Sequence, residues 1–286
     1  MPGANRFRLF LLTALTFSLG VHGQVGPAGN GSANASAGAS SNVAGQLPAN
    51  VLQMLQTQII WDNGFNKPTG PRLRFAKVDE VTRPEGHFVR YRIYASGAAE
   101  GTPYILAGWT IGRSLSDLNA LSNSVYVNRK GLLFTRKPTA DEEDRDTVGP
   151  DAEYDLGVQA ADGEPVRLML RSPDNKVMIP GTLVPFPIES SDKGCKLSAM
   201  LATPDGEAIL IEGEGFQPNS QVWLQSNSAG EQRQSQKPVD SSGHIQFVDL
   251  PYVAGKDAGM LNDTISTKDC TVSVIIPWGK GTYHRH

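Results

Sequence analysis

Residues 207–231 read EAILIEGEGFQPNSQVWLQSNSAGE. Glycines placed directly after an apolar run are the pattern of a phosphate or dinucleotide loop, in which free backbone amides and a helix N-terminus meet an anion. That chemistry needs a helix next. Instead Pro218 and Asn219 make a turn, and QVWLQSNS sets Val222 and Leu224 against Gln221, Trp223 and Gln225 at period two. A third glycine and a GK[ST] ending are missing, and Glu212 and Glu214 would repel a phosphate. The stretch reads as a turn between two strands, and no cofactor is expected.

Histidine chemistry is as thinly supplied. Beyond the first 23 residues the chain has His87, His244, His284 and His286, with no G-x-S-x-G elbow and no H-E-x-x-H pair. They read as surface histidines, so no catalytic residue and no metal ligand is nominated. The run ADEEDRDTVGPDAEYD gathers Asp141, Glu142, Glu143, Asp144, Asp146, Asp151, Glu153 and Asp155. It lacks the alternating acids and glycine of an EF-hand, so a solvated acidic loop is the expectation and calcium the minority reading. Paired carboxylates could also serve glycoside hydrolysis, but only at a defined separation within a cleft.

Arginines carry the one binding pattern. PRLRF and FVRYRIY place Arg72, Arg74, Arg90 and Arg92 at alternate positions, with Tyr94 on the face of Arg90 and Arg92. If the two segments pair, they form a ribbon for an anionic polysaccharide or a carboxylate-rich partner. The alternative is the ordinary wet face of an antiparallel sheet. Tyr94 and Trp223 are candidate stacking surfaces for sugars.

The elements able to position these groups are strands. In HFVRYRIYASG, Val89, Tyr91 and Ile93 face one way and Arg90 and Arg92 the other. TPYILAGWTIG follows in the same style, with Ile105, Ala107, Trp109 and Ile111 expected on one face. SVYVNRKGLLFTR reads as a hairpin turning at NRKG. EYDLGVQA, EPVRLMLRS and VMIPGTLVPFPI add short strands between ADGE and SPDNK turns. Strands at this spacing predict a sandwich or barrel. Only VLQMLQTQIIW, after Asn50, has helical spacing. The predicted fold class is all-β: two β-sandwich-like domains in tandem, residues 50–188 and 189–286, the polar turn after PFPI marking the boundary. Cys195 and Cys270 are expected to form a disulfide in the second domain.

A strand, then G-x-G-F-x-P-N, then a strand with a polar start resembles the opening of bacterial immunoglobulin-like domains of the transcription-factor-immunoglobulin type. The matching positions are Gly213, Gly215, Phe216, Pro218 and Asn219, and KPVDSSGHIQF and CTVSVIIPWG supply the later strands. The resemblance covers roughly residues 193–278. It implies a β-sandwich used as a spacer or binding module, and no catalytic residues come with it. Trp223 does not sit between two bridging cysteines as in antibody domains, so the disulfide is a different staple.

The remaining signals concern location. Arg6 and Arg8, an apolar stretch from Leu9 to Leu19, and Gly20 and Gly23 spell a signal peptide over residues 1–23. The apolar stretch is about half the roughly 20 residues a membrane span needs. Residues 24–49 have no charge and no aromatic side chain, as a disordered linker would. Asn30, Asn34 and Asn262 lie in glycosylation sequons. Without the signal the chain carries 24 basic against 29 acidic side chains, about −5, which argues against nucleic-acid binding.

These readings add up to a secreted, periplasmic or cell-surface protein with no transmembrane segment in its mature form. The expected role is non-catalytic binding, adhesion or envelope assembly, with an envelope protein or a polysaccharide as partner. The alternative is a secreted carbohydrate-active hydrolase carrying an accessory immunoglobulin-like module. A third reading, a periplasmic carrier or chaperone, requires a long unpaired edge strand near the domain junction.

Overall fold

The computed structural model describes residues 70–109, 111, 118–147 and 152–284. The signal, the linker and the expected helix after Asn50 lie outside them. The described residues form sixteen strands and no helix. The first eight are β1 (Leu73–Arg83), β2 (Gly86–Ala95), β3 (Tyr104–Trp109), β4 (Asn119–Val127), β5 (Leu133–Phe134), β6 (Asp155–Val158), β7 (Val166–Arg171) and β8 (Met178–Leu183). They build a three-stranded sheet ordered β1-β2-β6 and a five-stranded sheet ordered β5-β4-β3-β7-β8. Every recorded pairing is antiparallel, so each strand keeps one apolar and one polar face.

β2 shows why alternation predicts so well. Val89, Tyr91 and Ile93 are buried, and they join Leu73, Leu106, Val125, Leu168 and Ile179 in a shared core. β3 keeps its period of two. It pairs residue for residue with β7 from Ile105 to Trp109, so Ile105, Ala107 and Trp109 share one face, where Trp109 packs with Met169, while Tyr104 and Leu106 on the other face enter the main core. The register shifts in its pairing with β4 flank Leu106. Ile111 joins a different cluster altogether, the one built by the later strands.

Those later strands are β9 (Ile188–Asp192), β10 (Cys195–Leu201), β11 (Ile209–Glu214), β12 (Gln221–Ser228), β13 (Glu231–Pro238), β14 (Ile245–Asp249), β15 (Ala258–Ser266) and β16 (Thr271–Gly279). They form two four-stranded sheets, β14-β11-β10-β9 and β13-β12-β15-β16. Leu197, Ile209, Ile211, Val222, Leu224, Leu261, Ile265, Val274 and Trp278 fill the space they share. β9 is an outer strand of only five residues. The turn before β7 ties the two sets together: Gly163 N–H donates to Phe186 O at 2.7 Å, and Leu201 N–H donates to Gly163 O at 2.8 Å.

The GEGF stretch is the corner between β11 and β12. Phe216 is buried and donates its N–H to Gly243 O, and Asn219 N–H donates to Asp240 O. Gly215 has φ +82° there, and a Cβ at this position would lie 2.0 Å from Gly194 O. Cys195 and Cys270 are joined, with Cα atoms 6.3 Å apart. Cys195 opens β10 in one sheet and Cys270 immediately precedes β16 in the other, so the bond crosses the core.

Candidate functional site

β1 and β2 pair as the arginine ribbon requires. Arg74 lies opposite Tyr94, Ala76 opposite Arg92 and, past a bulge, Asp79 opposite Arg90. The Arg74 guanidinium sits 5.7 Å from the centre of the Tyr94 ring. Arg72 lies just before β1 and is held through its backbone: its carbonyl accepts from Ser96 N–H at 3.0 Å, and its own N–H donates to Ser96 Oγ at 3.0 Å.

The ribbon is not open to an incoming anion along its length. Arg90 donates Nε to Asp79 at 2.6 Å and Nη1 to Asp155 at 2.8 Å, and Arg92 pairs with Glu153. Asp79 is drawn below the usual carboxylate range by its bond to Arg90. The acidic run supplies two of these partners, which corrects its reading as a solvated loop. Glu142 is buried and takes both Nη atoms of Arg136 at 2.8 Å, plus Thr139 N–H and Oγ at 2.9 Å. Those bonds, the Arg136 one foremost, hold its carboxyl down at about 2. Glu143 and Asp144 pair with Arg129. Asn128 closes the loop by donating its side-chain amide to the carbonyls of Glu142 and Arg145.

Thus the arginine ribbon and the acidic loop, separate features in sequence, neutralise each other in space. Beside them a shallow cleft of about 340 Å³ is lined by Arg74, Tyr94, Glu100, Arg129 and Lys130. Among the described residues no three His, Cys, Asp or Glu side chains converge as a metal-binding set. The histidines lie apart. His87 contacts Thr82 Oγ1 at 3.1 Å and Glu80 Oε2 at 3.0 Å, His244 lies 3.9 Å from Asp240, and His284 is exposed. His286 and Asp151 lie outside the described residues.

The close carboxyl pair is elsewhere, in the core between the later sheets. Ser226 Oγ on β12 lies 2.8 Å from Asp249 Oδ2 on β14 and 2.5 Å from Asp263 Oδ1 on β15. Asp263 is fully buried, and burial first, then the Asp249 charge, push it up to about 7. Arg233 approaches Asp249 at 3.4 Å and donates to Leu250 O at 3.0 Å.

The other side of those strands is a second candidate surface. Residues of β12 alternate perfectly between exposed and buried, so Trp223, Gln225 and Asn227 point outward while Leu224, Ser226 and Ser228 point in. Register then lays three rows across the sheet: Gln236, Trp223, Ser266 and Thr271; Gln234, Gln225, Thr264 and Ser273; Gln232, Asn227, Asn262 and Ile275. Not one of these twelve side chains is charged. Trp223 is 49% exposed and Ile275 57%. Among the described residues, the side-chain amides of Gln225, Gln232, Gln234 and Gln236 have no hydrogen-bond partner. A groove of about 360 Å³ runs over the second and third rows. Trp223 was legible in sequence as a stacking surface. Its companions were not, because they come from four strands whose register the sequence does not display.

No family model matches the chain, and no curated protein matches it. Among solved structures it is similar to one described as the crystal structure of a tetra-tandem repeat in the extending region of a large adhesion protein, at 10% identity. The match covers 73% of this chain and 49% of that one, so it spans about half of the neighbour's length. Its TM-score is 0.23, too low to argue from.

Proposed function

We propose that the chain is an exported, non-catalytic binding protein that acts in adhesion or envelope assembly, and that its ligand surface is the outer face of the β13-β12-β15-β16 sheet. The observation that carries this reading is that face itself: a half-exposed tryptophan among amide side chains with no partner within the chain. Solvated amides are common on sheets. Four of them aligned with an exposed indole on an uncharged face form a surface whose donors and acceptors can be satisfied by a ligand. The Cys195–Cys270 bond fits an oxidising compartment.

We read the change of sheets at Ile188 as the boundary between two domains, the second immunoglobulin-like, with the Gly213–Asn219 corner as its motif. The test is retention of envelope and culture-medium components by the exported chain and by its Trp223→Ala form. Components held by the first and released by the second are the expected result. Equal retention by both would remove the role given to this face. Hydrolysis of a polysaccharide in the same extracts would favour the hydrolase alternative.

A further inference from the structure

We infer that the uncharged sheet face binds a neutral polysaccharide, laid across the strands with Trp223 stacked on a sugar ring and the glutamine rows on its hydroxyls. The inference rests on the binding reading above and names the ligand class of that same surface. Three features of the face select this occupant.

The first is charge. Gln225, Gln234, Thr264 and Ser273 form a row in which no group could pair with a sulfate, uronate or phosphate. Along this face a charged polymer would lose hydration without gaining a counter-charge. The cations near the rows are engaged or lie past their end: Arg233, which borders the groove, donates to Leu250 O and approaches Asp249 on the inner side of β13, Lys237 stands over Phe247, and Lys268 lies with Asp269 beyond the first row, in the cavity beside Trp223.

The second is chemical type. A pyranose has apolar C–H faces and a rim of hydroxyls, each both donor and acceptor. An exposed indole covers the first, and side-chain amides, each with two donors and a two-lone-pair acceptor, match the second. Thr264 and Ser273 are joined at 2.8 Å and so present their hydroxyls in a fixed arrangement.

The third is shape. Neighbouring strands repeat at about 4.8 Å, and same-face residues along a strand at about 6.8 Å. The rows therefore offer a regular, flat lattice suited to a repeating polymer more than to the single deep pocket of a small ligand. A protein partner would be expected to seek an apolar, aromatic-rich core. Here Trp223 and Ile275 lie two rows and two strands apart with polar side chains between them.

The experiment is affinity electrophoresis and sedimentation of the exported chain with insoluble cellulose, chitin and starch, soluble neutral β-glucan and galactomannan, and anionic polygalacturonate and dextran sulfate. Retention on at least one neutral polymer is expected, undiminished in 0.5 M NaCl because no ion pair is involved. Trp223→Ala should weaken it at least tenfold and Gln234→Ala several-fold, with Lys176→Ala, at an exposed turn before β8, as the off-face control. Gln234 is exposed on an outer strand, so its variant keeps the test informative if Trp223→Ala disturbs folding.

Failure to bind any neutral polymer, or binding only to anionic ones and lost in salt, overturns the inference. The binding reading survives separately if Trp223-dependent retention from envelope extract is sensitive to protease and insensitive to periodate. Retention unaffected by either face variant sinks both.

Discussion

Asp249 and Asp263 converge on one hydroxyl from opposite sheets, with Ser226 Oγ 2.8 Å from Asp249 Oδ2 and also against Asp263 Oδ1. A hydroxyl has a single proton to donate. It cannot satisfy two ionised carboxylates, so the second contact calls for a carboxylic acid that donates back. The upward push on Asp263, to about 7 from 3.8, agrees with a proton held there in the folded state. An acid whose folded value is raised binds more protons folded than unfolded between those two values. Its contribution to stability is therefore full below about pH 4 and is lost as pH rises to about 7. Asp263→Asn keeps the shape, supplies an N–H donor and cannot ionise. Thermal midpoints should rise relative to the parent at pH 8 and stay nearly unchanged at pH 4.5. An equal fall at both values would mean that no shared proton exists.

The arginine ribbon yields a contrast between neighbours. Arg92 balances Glu153, which is only 9% exposed, whereas Arg74 rests on the ring of Tyr94 at the surface. Removing Arg92 takes its charge partner on β2 from a nearly buried carboxylate, a loss of roughly 1–3 kcal/mol. Removing Arg74 forfeits an exposed cation–π contact of about 0.5–1 kcal/mol. Urea midpoints should therefore order the variants as parent, then Arg74→Ala, then Arg92→Ala. The reverse order would return the ribbon to the reading of a ligand site whose internal pairs matter little to the fold.

Much of this architecture is legible in local pattern. Period-two alternation locates β2 and β12, the resemblance supplies β16, and the Pro218–Asn219 turn excludes the helix that a phosphate loop needs. Three things were not legible, each because it depends on chain segments far apart. Ile111 leaves the face of Ile105, Ala107 and Trp109 and packs into the cluster of the strands that begin at Ile188. Glu153 and Asp155 meet arginines more than sixty residues away, so an acidic loop and a basic ribbon each looked solvated alone. The twelve-residue uncharged face exists only once β13, β12, β15 and β16 are in register.

The disulfide should act as a staple across the core. It closes a loop of 75 residues, for which the chain-entropy model gives about 4.5 kcal/mol. Reduction, or replacement of both Cys195 and Cys270 by alanine, should lower the unfolding free energy by several kcal/mol, about 4.5 at most. Urea unfolding with and without reductant measures it directly. A change under about 1 kcal/mol would show that the packed core between the sheets holds the ends of β10 and β16 without the bond.

Two glycines with the same backbone sign separate strain from collision. Gly215 and Gly230 both have positive φ, +82° and +92°. At Gly230 nothing lies within 4 Å of the position a Cβ would take, so Gly230→Ala costs only the left-handed conformation, about 1–2 kcal/mol. At Gly215 the same atom would meet Gly194 O at 2.0 Å and the Cys195 Cα at 3.2 Å, both backbone. Relief requires the β9–β10 turn to move away from the β11–β12 corner, beside the disulfide. Gly215→Ala should therefore cost clearly more than Gly230→Ala, by about 2 kcal/mol or beyond. Comparable urea midpoints for the two would mean that the corner is not packed against that turn, and that the glycine of the G-x-G-F motif serves the backbone conformation alone.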